Sequence, residues 1–216
     1  MIQQISEIKQ EALNAQMSDH FISNTMSSIN RFIEENDKDK ASAYLLKFSR
    51  LIRKVLENSF KKTVTLKDDL EIMEQYIELE KLRFPVGLLN YNIWIDECIE
   101  VEFILVPPMI LQVLAENSIN HGFSKSKGGM ISLKIYERAE ILEFIIEDNG
   151  IGRMASSANQ IYSNRKSFGS GLAEKLLQAF NNTIGQSSLR IVDLHDQNSI
   201  ACGTRIEYNI PVLYAA

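Results

Sequence analysis

The sequence predicts an α+β chain: a two-helix hairpin followed by an α/β two-layer sandwich of about five strands and three helices. Three observations predict it. The first sixty residues contain neither glycine nor proline, and their apolar residues recur in steps of three and four, as along a helical seam. Beyond them, stretches that alternate apolar and polar residues, as strands do, are interleaved with stretches of helical period. Hydrophobic residues make up 45% of the 216-residue chain. That is enough to build a core for one or two domains and too much for a disordered chain.

The first seam runs Ile5, Ile8, Ala12, Ala15, Ile22, Met26, Ile29, Ile33. Asn36-Asp37-Lys38-Asp39 interrupts it with turn-forming residues. A second seam follows at Ala41, Leu45, Phe48, Ile52 and Val55. Two helices with a short connection form an antiparallel hairpin. A hairpin alone buries little, so two completions are open: a four-helix bundle with a second copy, or packing of one hairpin on the rest of the chain. Leu13, Met17, His20 and Asn24 are spaced four, three and four and share one helical face. Phe21 and Phe32 read as packing residues. The expected division is 1–60 for the hairpin and 61–216 for the sandwich.

In the second part, Thr65-Leu66-Lys67-Asp68 has the form of a capping box and opens a helix to about Phe84. Pro85-Val86-Gly87 ends it. Leu89 to Ile95 alternates as a strand. Pro107-Pro108 is expected to start the next helix, because a first-turn proline forfeits no hydrogen bond. Met130 to Glu137 and Ile141 to Asp148 are strands joined by a short turn. Ser156 to Ser170 is a polar loop and Leu172 to Phe180 a helix. Leu189 to Leu194 and Thr204 to Ile210 complete the strands.

Bulk properties exclude several classes. The net charge is -5 and no long basic run occurs, so affinity for nucleic acid through its phosphates is not expected. Cys98 and Cys202 form no CxxC pair, which fits a reducing compartment without disulfide framework or cysteine metal site. No apolar run is long enough to span a bilayer. The expected localisation is cytoplasmic. The chain opens in mid-helix, which suggests a missing upstream part.

Four stretches carry chemistry. In "PPMILQVLAENSINHGF", residues placed at ~100° per step put Leu111, Leu114, Ala115, Ser118 and Ile119 on one arc and Glu116, Asn117, Asn120 and His121 on the opposite one. Two amides, a carboxylate and an imidazole suit a hard cation with its waters, or a polar substrate, although an ordinary solvated face is the alternative. "EDNGIG", Glu147 to Gly152, follows a strand. There Asp148 can accept a hydrogen bond from an exocyclic amine, and Gly150 and Gly152 let backbone approach a ligand closely. A plain Asn-Gly turn is the alternative. "FGSGL", Phe168 to Leu172, opens a helix whose amides can hold phosphate. "GTRIEYNIP" sets Thr204 at the start of a strand.

In this order, "ENSINHG", "DNGIG", "GSGL" and "GT" resemble the N, G1 and G2 boxes of the GHKL ATP-binding fold, with its mixed sheet. "LNAQMSDHFISN" resembles the "LxxQxxPHFxFN" segment of LytS/YehU-type sensor histidine kinases, and "VLENSFKKTVTLKDDLEIMEQYIELEKLRF" resembles their linker. The resemblance spans about residues 11–211. It implies an ATP- and Mg²⁺-dependent kinase that phosphorylates itself on His20, with Asn24 one turn away, and passes the phosphoryl group to an aspartate of a response-regulator receiver domain. It implies that Asn117 helps hold Mg²⁺ and that Glu116, Asn120 and His121 line the same face. Asp148 would take the adenine amine, with Thr204 near the same edge. Gly150 and Gly152 would start the lid over ATP, and Gly169 and Gly171 would close it; Arg165 and Lys166 are candidate cations within it. A homodimer is implied, with any membrane contact made only through an absent N-terminal sensor region. Asp19 stands where the family usually has proline, and Phe21-Ile22-Ser23 where it has "FLF". The alternative is therefore an ATP-binding dimeric scaffold with a degenerate histidine acceptor.

Overall fold

The computed structural model describes residues 19–152, 176–178 and 188–215, with Asp19 and His20 as backbone only. Helix α1 (Asp19–Glu34) and helix α2 (Lys38–Ser59) form the hairpin. The turn works as its residue types demand: Asn36 takes a positive φ of 57°, tolerated by asparagine, and Asp37 caps α2 by accepting from the Lys40 N–H.

The hairpin's orientation differs from the simplest reading of its seams. The face of α1 turned to the rest of the chain is Phe21, Thr25, Ser28 and Phe32, all buried. The expected seam of Ile22, Met26, Ile29 and Ile33 lies beside it, with Ile33 59% exposed. On α2 the buried set is Ala41, Tyr44, Leu51, Val55 and Asn58, while Leu45 and Leu46 are exposed. The hairpin packs on the chain through one stripe and leaves a second apolar stripe uncovered.

Strand β1 (Val64–Thr65) pairs antiparallel with β3 (Leu105–Val106), a two-stranded sheet that the sequence did not suggest. Helix α3 (Leu66–Lys81) starts directly from β1, with Thr65 accepting from the Asp68 N–H as N-cap. It ends three residues short of Phe84. Helix α4 (Ile110–Asn117) leaves β3 through Pro107-Pro108. The prolines therefore precede the helix rather than occupy its first turn. The β1–β3 pair starts α3 and α4 from one place and sends them off side by side.

The main sheet holds β2 (Leu89–Ile95), β4 (Gly129–Arg138), β5 (Ile141–Asp148), β7 (Ala201–Pro211) and β6 (Ser188–His195), in the order β2-β4-β5-β7-β6. β2 runs parallel to β4 and the other pairs are antiparallel, so the sheet is mixed. β4 and β5 are joined through Ala139 and Glu140, both at positive φ, which matches a tight hairpin to the strand twist. Alternation assigns the faces. Leu133, Ile135, Leu142, Phe144, Ile146, Ile206, Tyr208 and Ile210 point into the core with Leu70, Met73, Ile77, Leu111 and Leu114 from the helices. Phe144 and Tyr208, partners in register, stack at 4.3 Å. Among the described residues, no helix is long and apolar enough to cross a membrane.

Candidate functional site

The helix of the polar face is unusual at both ends. α4 begins at Met109, a non-glycine residue at φ 63° without a capping side chain of its own. It runs into a π-helical turn, Ser118–Gly122, a widened geometry common at functional sites. The two arcs expected from the sequence are present. Leu111, Leu114, Ala115, Ser118 and Ile119 are buried, and Glu116, Asn117, Asn120 and His121 are half-exposed. Asn120 Nδ2 donates to Glu116 Oε1 at 3.4 Å. Burial holds the His121 imidazole below its usual pKa, so it is neutral near pH 7.

Asp148 occupies a core position of its strand. It has the same parity as Leu142, Phe144 and Ile146, and it is only 7% exposed. Thr204 has the same parity as Ile206, Tyr208 and Ile210 on β7 and is its register partner. Ser118 reaches the same spot from the buried arc: its Oγ donates to Asp148 Oδ2 at 3.1 Å. The Gly150 N–H donates to Asp148 Oδ1 at 2.9 Å. Burial pushes the Asp148 carboxyl above its ordinary range, against the lowering effect of Gly150, Ser118 and Thr204. Three polar groups thus meet at this end of the sheet's buried face. A carboxylate has about four acceptor lone pairs, so with three donors engaged it can accept a further one.

Backbone crowding surrounds this carboxylate. A Cβ on Gly150 would lie 2.6 Å from Gly122 Cα, and one on Gly203 would lie 2.0 Å from Asp148 O. Gly152 takes φ 76°, which side chains other than glycine's rarely adopt. β7 starts at Ala201, so Thr204 is the strand's fourth residue rather than its first. Sequence reasoning missed Gly122 and Gly203 and read Ser118 only as part of the buried arc. A polar residue on an apolar arc, and a glycine just before a threonine of core parity, were the available signals.

His20 lies in α1 and Asn24 one turn on, half-buried. Phe21, the next residue after His20, is buried with its ring 5.3 Å from Tyr76 of α3 and 5.7 Å from Phe48 of α2. The charge of Glu116 contributes to raising the Tyr76 hydroxyl pKa, behind burial and Glu80. Phe21 therefore ties this part of α1 to the helix that lies alongside α4. Gly169, Gly171, Arg165 and Lys166, the loop 156–170 and most of the 172–180 helix lie outside the described residues; 176–178 are helical.

Comparison with known proteins decides the family. The sequence profile of the histidine kinases matches residues 8–88. A curated relative, the sensor histidine kinase/phosphatase LytS of Staphylococcus aureus, is 36% identical over 149 residues, 68% of this chain. The chain belongs to the histidine kinase family. It spans about a quarter of that relative, 24% of its length. Among solved structures, the histidine kinase domain of the Erythrobacter litoralis EL346 blue-light activated histidine kinase overlaps 96% of each chain at TM-score 0.48 and 16% identity. Full-length ShkA in complex with AMPPNP overlaps 96% of this chain and 46% of its own at TM-score 0.49 and 13% identity. The family assignment rests on the sequence matches; the family profile's range, residues 8–88, includes the His20 segment and helix α3.

Proposed function

We propose that this chain is the catalytic core of a sensor histidine kinase, which uses Mg-ATP to phosphorylate His20 and then donates the phosphoryl group to an aspartate of a response-regulator receiver domain. The observation that carries the reading is Asp148. It is a buried carboxylate at core parity, held by Ser118 and Gly150, beside a helix end whose outward face is Glu116, Asn117, Asn120 and His121. A buried, hydrogen-bonded carboxylate suits recognition of an amino group on a flat base, because leaving it unpaired is costly. The close backbone approaches at Gly122, Gly150 and Gly203 hold the segments around this carboxylate against one another.

Oxygen donors fit Mg²⁺. Asn117 is the protein ligand we assign, with Glu116 and Asn120 beside it. Among the described residues no group of three or more His, Cys, Asp or Glu is placed to hold a metal. That agrees with an ion carried mainly by nucleotide phosphates and water. Mg²⁺ would neutralise charge on the triphosphate.

In the reaction, an imidazole nitrogen of His20 attacks the γ-phosphorus, the bond to the β,γ-bridging oxygen breaks, and ADP departs. The imidazole gives up its ring proton, for which Glu116 is our candidate acceptor; Asn24 orients the ring. Thr204 supports the adenine edge, Gly152 starts the lid, and Gly169 and Gly171 close it on the phosphates. The uncovered apolar stripe of Ile33, Leu45 and Leu46 supports a homodimer built on residues 1–60, with 61–216 as the ATP-binding part. Titration with Mg-ATP tests the site. Asn117→Ala should abolish binding while His20→Gln leaves it intact; retained binding by Asn117→Ala overturns the assignment.

A further inference from the structure

We infer that Asp69 is the positioning residue of the nucleotide face: from α3, its carboxylate caps the N-terminus of α4 and sets the placement of Glu116 and Asn117. The inference rests on the reading of that face as an Mg-ATP site. Asp69 is fully buried. Its Oδ1 accepts from the Met109 N–H and its Oδ2 from the Leu111 N–H at 3.2 Å. These are among the donors that a helix start leaves without an intrahelical partner. Nothing local serves instead. Met109 offers no capping side chain, and Pro107 and Pro108 have no N–H to offer or to satisfy.

Two acceptor atoms on one carboxylate hold the N–H groups of residues 109 and 111, which fixes both the height and the rotation of a helix only eight residues long. α3 and α4 start together from the β1–β3 pair. Seven residues beyond Asp69 on α3, Tyr76 senses the charge of Glu116, six residues beyond Ile110 on α4. The two helices therefore run parallel, with Asp69 at the base and the candidate ligands about 9 Å further along. A small slip of α4 at its base is carried whole to Glu116 and Asn117, and misplacement of binding groups by about 1 Å is costly for function.

The groups that face the carboxylate are Asp68 on its own helix, Tyr208 from β7 and the two N–H donors of α4. Burial pushes the Asp69 carboxyl up to about 7, against the lowering effect of Leu111 and Met109. Around neutrality the cap changes protonation. Because the folded value lies above the ordinary one of 3.8, this group makes the fold more stable as pH falls through about 7. The same protonation removes one acceptor from the cap and loosens the face. Stability and nucleotide affinity thus move in opposite directions.

The test uses the whole chain with Mg-ATP as the probe, in wild type, Asp69→Asn and Asp69→Leu. Affinity and unfolding midpoint are measured one pH unit below and above about 7. Asn keeps one acceptor and sets an amide donor in place of the other, as the protonated carboxyl sets a hydroxyl, so Asp69→Asn should bind more weakly than wild type above about 7 and about as wild type below it. Asp69→Leu should bind on the order of tenfold more weakly. On acidification, wild type should lose affinity relative to Asp69→Asn while gaining in unfolding midpoint relative to it. A structural role alone would move both readouts together. Should Asp69→Leu fail to fold, the comparison of wild type with Asp69→Asn decides. Equal pH slopes for those two, or Asp69→Leu binding as wild type, overturns the inference. Failure of wild type to bind Mg-ATP overturns the functional reading itself, and this inference with it.

Discussion

Gly122 and Gly150 cross backbone to backbone: a Cβ on Gly150 would stand 2.6 Å from both Cα and O of Gly122, and the Ile151 N–H donates to Gly122 O at 3.0 Å. The crossing locks the end of the π-helical turn to the segment after Asp148. Gly150→Ala must therefore push the two segments apart. We expect a loss of about 1–3 kcal/mol, the usual range for overpacking, and weakened Mg-ATP binding. Thermal melts and a nucleotide titration on one preparation check both. Unchanged affinity would show that the crossing does not shape the site.

Asp148 gives a pH signature. Its folded pKa is raised, chiefly by burial, so the folded state holds its proton more tightly than the unfolded chain does. From the ordinary value of 3.8 up to its raised folded value, this group's contribution makes the fold less stable as pH rises. Asp148→Asn removes that contribution. At neutral pH the variant should melt at or above the wild-type temperature, with a flatter pH dependence, and should lose nucleotide binding. Melting curves across the acidic range provide the measurement.

The pair Glu80–Arg83 lies at the C-terminal end of α3. Both side chains are largely buried, at 1% and 10% exposure. Burial raises the Glu80 carboxyl against the lowering effect of Arg83. Arg83→Ala strands a buried charge and should cost about 3–5 kcal/mol. The double substitution Glu80→Leu with Arg83→Leu should recover most of that, since apolar replacement of a buried pair is often neutral. Denaturant unfolding of the three proteins distinguishes the outcomes.

Ile33 and Leu46 are 59% and 53% exposed on the apolar stripe that the chain does not cover. Ile33→Glu with Leu46→Glu should leave the single-chain fold nearly unchanged, each within about 0.5 kcal/mol as for other surface substitutions. It should convert a wild-type dimer to a monomer. Light scattering after size exclusion reads the mass directly; a dimer that survives both charges would place the interface elsewhere.

The parts of the fold that were legible are those set by local pattern. β2 spans Leu89–Ile95 as alternation predicts, because one face of that edge strand is core and the other is solvent. The two arcs of α4 follow from its helical period. The β1–β3 pair was hidden because two-residue strands have no period, and their pairing joins positions 64 and 106. The outward turn of Met26 and Ile33 was hidden for a related reason. Both stripes of α1 contain large apolar residues, so periodicity names candidates without saying which meets α3. Within the site, Asp148 and Thr204 stood out by motif, whereas Ser118, Gly122 and Gly203 act across the fold and acquire meaning only from what lies opposite them. Asp69 is the strongest case: in sequence it is one of several acidic residues opening a helix, and its partners lie forty residues away on another one.

The central claim is that His20 accepts phosphate from ATP bound at the Asp148 and Asn117 face. The most direct test incubates the purified chain with γ-labelled ATP and Mg²⁺, beside His20→Gln, and assays the label for stability to acid and base. The account predicts acid-labile, base-stable label on wild type and none on His20→Gln, with nucleotide binding equal in the two. Acid-stable label that persists in His20→Gln would contradict it.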